Sequence, residues 1–465
     1  MTRHSPAPAA GGSGEGPGRL ESALVEELAA TRDRIWHVRS SVPLEGTVTV
    51  AGAKNTVTKL MIAACLSDGV CEFDNVPAIA DVRITAAMLE AVGAGVAVES
   101  GRAIVDGSTL TSPHVGLAYS GLNRMPILCL PVLLHRFGEA RVPVVGGDGI
   151  GLRPVDFHRD ALTAMGAHVT VDSDGISAQG ALRGADITLP YPSVGATETV
   201  LLAAVLAEGR TVLHNAAVEP EIQELIQFLQ RMGAIIEPAE GRRYVIDGVQ
   251  RLHPSRQHVA GDRVEAFSYL VAGIATQGKV AVLGCDPSRM SPAIALLRRL
   301  AATVTIDADG RIQAQAPARL DPVAISTAPY PGFATDWQPP LVAALTQANG
   351  VSAVHETVFE DRLGYTHQLN NMGATIQTFN DCLGGSECRF SAGRHRHSAL
   401  VAGPTKIHGT EVVMKDIRAG FGLAVAAVTA TGDSVLSGIH HLERGYDNVL
   451  DKFTQLGADI TTTQT

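Results

Sequence analysis

Six copies of one pattern divide the 465-residue chain and constrain its fold more than any other feature. In each copy an apolar, helix-like stretch stops at a small residue pair, and a strand-like run follows. The middle residues of these stops recur at intervals of roughly 70 residues; they are Gly93, Gly166, Gly233, Ala301, Gly373 and Gly457. Upstream of each stop another glycine closes a further apolar helix: Gly69, Gly138, Gly209, Gly278, Gly350 and Gly432. This periodicity predicts six equivalent supersecondary units.

Each predicted unit contains a helix, a glycine stop, a strand, a second helix, a Gly–Ala stop and another strand. Glycine suits both stops because the residue after a helix commonly adopts the left-handed conformation. Helices such as the one through 201–206 are apolar on all faces, which is typical of buried helices. Strands outside and helices inside predict an inverted α/β arrangement of three units per domain. The period alone leaves open two domains of three units or three domains of two.

Charge and composition exclude several classes of protein. The net charge of −10 leaves no global basic surface for nucleic acid. No stretch approaches the roughly 18 consecutive apolar residues of a membrane span, and residues 1–34 are predicted to form a flexible tail without a signal peptide. Four of the six cysteines lie in apolar contexts, as reduced thiols do. We therefore expect a cytoplasmic protein with no membrane or nucleic-acid partner, and its oligomeric state stays open.

One interval between stops is longer than the others because it holds an insertion at about 380–403. This segment contains Cys382, Cys388, His395 and His397, so a zinc site is conceivable. However, the cysteine spacing is not the usual two to four residues, and the two histidines are separated by only one residue. The pattern favours an elaborated surface loop, and we predict no metal there.

Lys54 lies at the junction between a strand-like run at 46–50 and an apolar helix from about Thr56. A lysine beside a helix N-terminus suits an anion such as a phosphate. The alternative is a solvated lysine in a turn.

The stretch 145–156 has four glycines within six residues, together with Asp148 and Arg153. Such glycine density is incompatible with a stable helix or strand. Two interpretations remain open: a mobile lid over a polar substrate, at 146–153, or a long hairpin.

Further charged residues follow strand-like runs or begin helices in several units. Each alone suits a surface salt bridge, but at equivalent points of equivalent units they would converge on one cleft. They are Asp262, Arg263, Asp336, Glu360, Arg362, Asp416, Arg418 and Arg444.

From about Ile35 to the end, apart from the insertion, the chain resembles the enolpyruvyl transferases. The motifs that carry the resemblance are 52–55 (GAKN), 146–156 (GGDGIGLRPVD), 193–197 (SVGAT), 215–221 (NAAVEPE), Thr335-Asp336 and 443–446 (ERGY). The resemblance implies two inside-out α/β barrel domains, each of three βαβαββ units. The first domain would span 54–261 with the lid, and the second would span 35–53 plus 262–465 with the insertion.

The resemblance also implies an activity. Family members move the enolpyruvyl group of phosphoenolpyruvate to a hydroxyl, with release of phosphate, by addition and elimination without a metal or organic cofactor. The sequence is more similar to the branch that acts on UDP-N-acetylglucosamine, in peptidoglycan synthesis, than to the shikimate branch. Two alternatives remain: the same transfer to UMP in nucleoside-antibiotic pathways, and a non-catalytic paralogue that binds uridine nucleotides.

Site residues follow by position in the motifs. By resemblance, Lys54, Arg124, Arg153 and Arg444 bind the phosphate and carboxylate of phosphoenolpyruvate; Arg362 and Arg418 line the same cleft, although Arg418 could equally brace Asp416. Asp336 is the candidate base for the acceptor hydroxyl, and Asp148 is the candidate proton donor, with Lys54 as a third catalytic residue. The uridine nucleotide would contact Asn55, Arg153, Pro154, Val155, Asp156, His158, Tyr191, Ser193, Val194 and Gly195.

The chain departs from the family at two positions. Asp148 stands where many members have a cysteine, which predicts retained activity with resistance to fosfomycin. Tyr191 stands where many relatives have a lysine near the phosphates of the nucleotide, so another group would have to hold a diphosphate.

Overall fold

The structure is a computed structural model, and it describes residues 20, 24, 31–39, 43–151, 154–385 and 387–464. Most of the predicted tail at 1–34 lies outside these residues. Where the tail is described, Leu24 is buried and the backbone N–H of Leu20 donates to Glu90 Oε2 at 3.1 Å. Arg34 already belongs to the first strand. The tail prediction is therefore wrong at these residues, because Leu20 and Leu24 pack on the folded chain and Arg34 pairs with Gln464 in a sheet.

Thirteen helices of the described ranges are α1 (Lys54–Ala64), α2 (Ala80–Ala91), α3 (Pro126–Phe137), α4 (Asp156–Ala164), α5 (Val194–Ala204), α6 (Pro220–Arg231), α7 (Arg263–Ala275), α8 (Ser291–Arg299), α9 (Gln338–Leu345), α10 (Thr366–Asn371), α11 (Ile417–Thr429), α12 (Ile439–Glu443) and α13 (Val449–Gln455).

The strands of the first half are β1 (Arg34–Val38), β2 (Glu45–Thr49), β3 (Val70–Asp74), β4 (Gly95–Glu99), β5 (Arg102–Asp106), β6 (Glu139–Pro143), β7 (His168–Val171), β8 (Gly175–Gln179), β9 (Asp186–Thr188), β10 (Arg210–His214), β11 (Ile235–Ala239), β12 (Arg243–Asp247) and β13 (Arg256–His258). Those of the second half are β14 (Lys279–Leu283), β15 (Thr303–Ile306), β16 (Ile312–Gln315), β17 (Ala324–Ser326), β18 (Gly350–His355), β19 (Thr375–Phe379), β20 (Ser398–Gly403), β21 (Glu411–Val413), β22 (Ser434–Ser437) and β23 (Ile460–Gln464).

Six small sheets correspond to the six predicted units. Their strand orders are β13-β3-β5-β4, β6-β8-β7, β11-β12-β10-β9, β15-β16-β14-β2, β17-β18-β20-β19 and β21-β22-β1-β23. In the fifth unit, for example, β17 pairs in parallel with β18, which pairs antiparallel with β20 of the β19–β20 hairpin. Together with the helices α9 and α10, this gives the order βαβαββ. The α/β class and the predicted unit are confirmed.

Strands exchanged between units close each set of three into a ring. In the first set, β13 comes from the end of the third unit and pairs in parallel with β3 of the first. In the second set, the two N-terminal strands make this exchange. β2 pairs in parallel with β14 of the fourth unit. β1 lies between β22 and β23 in the sixth unit, at the position that β20 has in the fifth. The ring of the second set therefore closes through the N-terminal segment.

The first helix of each unit lies inside its ring. Almost every residue of α1 is buried, and every residue of α7 is buried. In the second ring the inner helices α7, α9 and α11 all contact one another. Because these helices are apolar on all faces, the surrounding sheets bury them completely. The inside-out arrangement follows from this burial.

The buried apolar side chains form two separate clusters. The first cluster takes Leu24 and residues between 57 and 259, and the second takes residues between 36 and 50 and between 264 and 458. These clusters support the proposed division into one domain at 54–261 and another at 35–53 plus 262–465. Within the described ranges, no helix is long and apolar enough to span a bilayer.

The Gly–Ala stops owe their composition to backbone geometry. Five of the six middle residues are glycines with φ between +96° and +105°, and the sixth, Ala301, has φ +65°. An L-residue in the left-handed region costs about 1–2 kcal/mol. Ala301 is thus the one stop where a side chain opposes the conformation that the unit requires.

We expect Ala301→Gly to raise the free energy of unfolding by about 0.5–1 kcal/mol, since relief of this strain outweighs the added entropy of the unfolded chain. Gly457→Ala is the matched reverse change, because a Cβ at Gly457 would meet no atom within 4 Å and only its φ of +98° opposes it. It should lower the free energy of unfolding by a similar amount. Urea titration measures both, and a destabilised Ala301→Gly protein would contradict the explanation.

The predicted insertion at 380–403 is shorter in the structure. Residues 398–403 form β20, which pairs with both β18 and β19. The part between β19 and β20, residues 380–397, is mainly exposed in its described portion; we call it the insertion loop. The predicted insertion extends six residues too far, because β20 contains small residues and resembles a loop in sequence.

Candidate active site

A cavity of about 410 Å³ lies between the two clusters and is lined by residues from both. It brings together most of the predicted site residues: Lys54, Asn55, Arg124, Asp148, Pro154, Asp156, His158, Tyr191, Ser193, Val194, Gly195, Asp336, Arg362, Arg418 and Arg444. Val155 does not line it and instead packs against the first cluster. Arg153 lies outside the described residues. Six of the eight charged residues that were predicted to converge line this cavity, whereas Asp262 and Asp416 cap the N-termini of α7 and α11 instead.

A buried carboxylate holds two of the predicted phosphate-binding cations together. Asp81, on α2, lies 2.9 Å from Lys54 Nζ and 3.1 Å from Arg444 Nε. Burial opposes ionisation of Asp81, but the charges of Lys54 and Arg444 outweigh it and lower the pKa of the carboxyl group. Lys54 begins α1, and Arg444 follows α12, so Asp81 joins cations from the two proposed domains.

A second cluster of charges surrounds Asp336. Its carboxylate lies 3.1 Å from Arg418 Nε and 3.7 Å from Arg362 Nη2. Burial again opposes ionisation, but Arg418 and Arg362 lower the pKa of Asp336 well below its usual range. Asp416 caps α11 by accepting from the backbone N–H of Arg418 at 2.9 Å. The guanidinium of Arg418 therefore pairs with Asp336 and not with Asp416. Of its two predicted roles, Arg418 thus has the one at the cleft and does not brace Asp416.

Several guanidinium groups at the cavity retain unused donors. Arg362 and Arg418 are each 3% exposed. Within the described part of the chain, Nε and Nη2 of Arg362 and Nη1 of Arg418 are buried without a hydrogen-bond partner. A buried, unpaired N–H of a cation is costly. These N–H groups are therefore available to donate hydrogen bonds to oxygens of an anionic group in the cavity.

The glycine-rich loop crosses from one domain to the other. The N–H of Gly146 donates to Asn123 O at 3.0 Å, and the N–H of Asp361 donates to Ile150 O at 3.2 Å. Asp148 lies between these anchors, with its Oδ1 3.6 Å from Arg444 Nη1. Gly151 has φ +142°, and a Cβ there would lie 2.5 Å from the Glu360 carboxylate. The loop covers the cavity in this conformation, which supports the lid interpretation over the hairpin.

The other end of the cavity is lined by uncharged groups at the start of α5. His158 Nδ1 lies 2.7 Å from Thr199 Oγ1, and a Cβ at Gly195 would come within 3.1 Å of the imidazole. Burial, assisted by the positive charge of Arg124, lowers the pKa of His158 to about 3. The imidazole is therefore neutral and offers a hydrogen bond without charge.

Tyr191, the second departure from the family, carries a cation on its ring. Arg389 of the insertion loop places its guanidinium carbon 4.5 Å from the centre of the Tyr191 ring and lines the cavity. Its Nη2 donates to Val358 O at 2.7 Å. Arg389 thus places a positive charge at this end of the cavity. It belongs to the connection between β19 and β20, whereas Tyr191 lies between β9 and α5.

Sequence analysis missed several charged residues that line the cavity. Asp81, Lys59, Glu198 and Arg389 are four of them, and Glu221 is the ion-pair partner of Arg263, a residue that the sequence did place at the cleft. Burial lowers the pKa of Lys59 and raises that of Glu198. A single charged residue within an apolar helix was the available signal, since such a residue is rarely buried without a partner.

Known proteins resemble this chain over nearly its whole length. The sequence profile of the EPSP synthase (3-phosphoshikimate 1-carboxyvinyltransferase) family matches residues 38–453. The UDP-N-acetylglucosamine 1-carboxyvinyltransferase of Protochlamydia amoebophila is 41% identical over 92% of this chain and 94% of its own. The enzyme of the same name from Gloeobacter violaceus is 37% identical over 93% of this chain and 91% of its own. The crystal structure of the enolpyruvyl transferase NikO from Streptomyces tendae superposes with a TM-score of 0.82 at 25% identity, over 93% of this chain and 99% of that one.

Proposed function

The chain belongs to the enolpyruvyl transferase family, and from this premise we propose that it transfers the enolpyruvyl group of phosphoenolpyruvate to the 3-hydroxyl of UDP-N-acetylglucosamine, a step of peptidoglycan precursor synthesis. Two relatives at 37–41% identity, each covering at least 90% of both chains, bear the name of that activity. Both substrates are small molecules, and phosphate is the second product.

The observation that carries the proposal is the set of buried cations around two carboxylates. Lys54 and Arg444 flank Asp81, while Arg362 and Arg418 flank Asp336 with unused N–H donors. Phosphoenolpyruvate brings a phosphate and a carboxylate, which match such clusters in charge. A module that only binds a uridine nucleotide would not need this second anion site.

Asp336 is proposed to take the proton of the acceptor hydroxyl. In the absence of substrate its arginine partners keep the pKa low, so the carboxylate is ionised but weakly basic. When the anions of phosphoenolpyruvate engage Arg418 and Arg362, less positive charge remains for Asp336 and its basicity rises. Proton removal is thereby coupled to the presence of both substrates.

Asp148 is proposed to give a proton to the methylene carbon of phosphoenolpyruvate. Addition of the acceptor oxygen to the neighbouring carbon forms a tetrahedral intermediate, and loss of phosphate together with a proton of the new methyl group then re-forms the double bond and completes the transfer. The position of Asp148 on the loop that covers the cavity supports this role because the donor arrives as the cavity closes. The closed loop also limits access of water to the intermediate.

Arg389 is proposed to replace the cation that many relatives place at Tyr191. Its guanidinium lies over the Tyr191 ring at the end of the cavity lined by Ser193 and Gly195. An arginine there can form charge-assisted hydrogen bonds with a diphosphate. This answers the difficulty that Tyr191 raises for a UDP-sugar and favours it over UMP, which has a single phosphate.

The test is phosphate release by the full-length protein with phosphoenolpyruvate and either UDP-N-acetylglucosamine, UMP or no acceptor. We expect release with UDP-N-acetylglucosamine only, and formation of the enolpyruvyl ether can be checked by mass. Release with UMP alone would favour the alternative acceptor. No release with either nucleotide, despite binding of both, would favour the non-catalytic interpretation.

A further inference from the structure

Four metal-binding side chains meet where the insertion loop joins its sheet. His355 ends β18, and His397 immediately precedes β20, the strand that pairs with β18. Cys382 and Cys388 approach from the insertion loop. One ligand atom from each of the four residues lies within 4.8 Å of all the others. The two histidines are fixed by a sheet, and the two cysteines are fixed by a loop folded over it.

Two separations within the cluster, both involving Cys382, agree with one tetrahedral ion. Cys382 Sγ lies 3.7 Å from Cys388 Sγ and 3.4 Å from His397 Nε2. With metal–sulfur bonds of about 2.3 Å and metal–nitrogen bonds of about 2.0–2.1 Å, a tetrahedral zinc site separates two sulfurs by about 3.8 Å and a sulfur from a nitrogen by about 3.5 Å. The observed distances are within 0.2 Å of both values.

Neighbouring groups orient both imidazoles. His397 Nδ1 lies 2.9 Å from the carbonyl of His395 and must donate to it, which leaves Nε2 as an acceptor toward the cluster. His355 Nδ1 lies 3.4 Å from Ser326 Oγ, and its Nε2 is buried with no hydrogen-bond partner among the residues that the structure describes. His355 is only 1% exposed. A buried ring nitrogen without a partner calls for a ligand.

The loop is also shaped to reach this position. A Cβ at Gly384 would lie 2.2 Å from His355 Nδ1, so only glycine lets the turn after Cys382 pass this close. The backbone N–H of Phe390 points at Cys388 Sγ, at 3.4 Å. Such an N–H stabilises negative charge on a thiolate.

We propose that His355, Cys382, Cys388 and His397 bind a structural Zn²⁺ ion that fastens the insertion loop to the second domain. Two thiolates and two imidazoles in tetrahedral arrangement favour zinc over the harder divalent cations. Binding removes one proton from each thiol. All four positions are filled by protein, so the ion has no open coordination site and takes no part in the transfer reaction. This replaces the expectation of a metal-free loop, which considered the cysteines with His395 and His397 and did not include His355.

The ion would also determine where Arg389 lies, because Arg389 is the residue next to Cys388. Loss of zinc would free the loop, and Arg389 would leave the Tyr191 ring. This consequence rests on the proposed function: the KM for UDP-N-acetylglucosamine should rise by about tenfold or more without Arg389, whereas the KM for phosphoenolpyruvate should not.

The experiment is zinc analysis of the full-length protein, purified without a polyhistidine tag, exposed to zinc and dialysed against metal-free buffer. We expect about one zinc per chain, lost in Cys382→Ser and retained in His395→Ala, the matched control from the same loop. Replacement of zinc by Co²⁺ in the wild type should give the absorption of a tetrahedral cobalt–thiolate centre, which does not depend on the folding of a variant.

Wild-type protein without zinc, a disulfide between Cys382 and Cys388, or loss of zinc from His395→Ala would each overturn the assigned site. Metal content does not depend on turnover, so these outcomes stand even if the proposed function fails. A zinc-free Cys382→Ser protein with an unchanged KM for the nucleotide would overturn the link to Arg389.

Discussion

Lys54→Ala is expected to lower kcat/KM for phosphoenolpyruvate by about 10- to 150-fold or more, since a charge-assisted contact to phosphate contributes roughly 1.5–3 kcal/mol and more in a closed site. The protein should remain folded, because Asp81 keeps Arg444 at 3.1 Å when the lysine is removed. Arg444→Ala should behave in the same way, with Lys54 as the remaining partner of Asp81. Initial rates at low phosphoenolpyruvate measure both effects.

Lys415→Ala serves as the control for these variants, since Lys415 is an exposed lysine outside the cavity. Its rate should equal that of the wild type. Circular dichroism and thermal unfolding verify that each inactive variant is folded. A Lys54→Ala or Arg444→Ala protein with a near wild-type rate at low phosphoenolpyruvate would remove that residue from the phosphate site.

Fosfomycin should leave the wild-type activity intact, and Asp148→Cys should make the protein sensitive to it. The drug inactivates family members with cysteine at this lid position, because the thiolate opens the epoxide and stays bonded to it. A carboxylate is a much weaker nucleophile toward an epoxide than a thiolate. In Asp148→Cys, the nearby Arg444 would favour the thiolate form. Mass spectrometry should detect a covalent adduct on this variant and a time-dependent loss of its activity.

The native cysteines should not react. None of the six lines the described cavity, and burial raises the pKa of Cys65 and of Cys285 to about 12. Asp156→Cys is the matched control, since it introduces a thiol elsewhere in the same cavity; no adduct is expected. Rapid, irreversible inactivation of the wild type would refute the assignment, and full activity in Asp148→Asn would reduce Asp148 to a structural role in the loop.

The fold was predictable because its determinants are local and repeated. Each stop needs a left-handed residue and each inner helix needs apolar residues on every face, so both features recur in the sequence. The cavity was predictable only in part. Lys54 and Asp148 belong to recognisable motifs, whereas Asp81 lies within an ordinary apolar helix, and its role depends on Arg444, more than 360 residues away.

The metal cluster shows the same limit. The sequence spacing of Cys382 and Cys388 is unusual, and His355 precedes them by a helix and a strand. Antiparallel pairing of β18 with β20 brings His355 opposite Ser398, and thus next to His397. Such a site can be recognised only after the strand register is known, because the separation of the four residues along the chain does not show that they lie together.

Because β1 and β2 close the second ring, this ring cannot be completed until the end of the chain has been synthesised. The three units at 54–261 are contiguous, so they can fold while the rest of the chain is still being made. By contrast β1, at 34–38, emerges early but pairs with β22 and β23, the latter at 460–464. At translation rates of about 5–20 residues per second, it waits roughly 20–85 s as an unpaired strand. The nascent chain must therefore protect its first strands until its last ones appear.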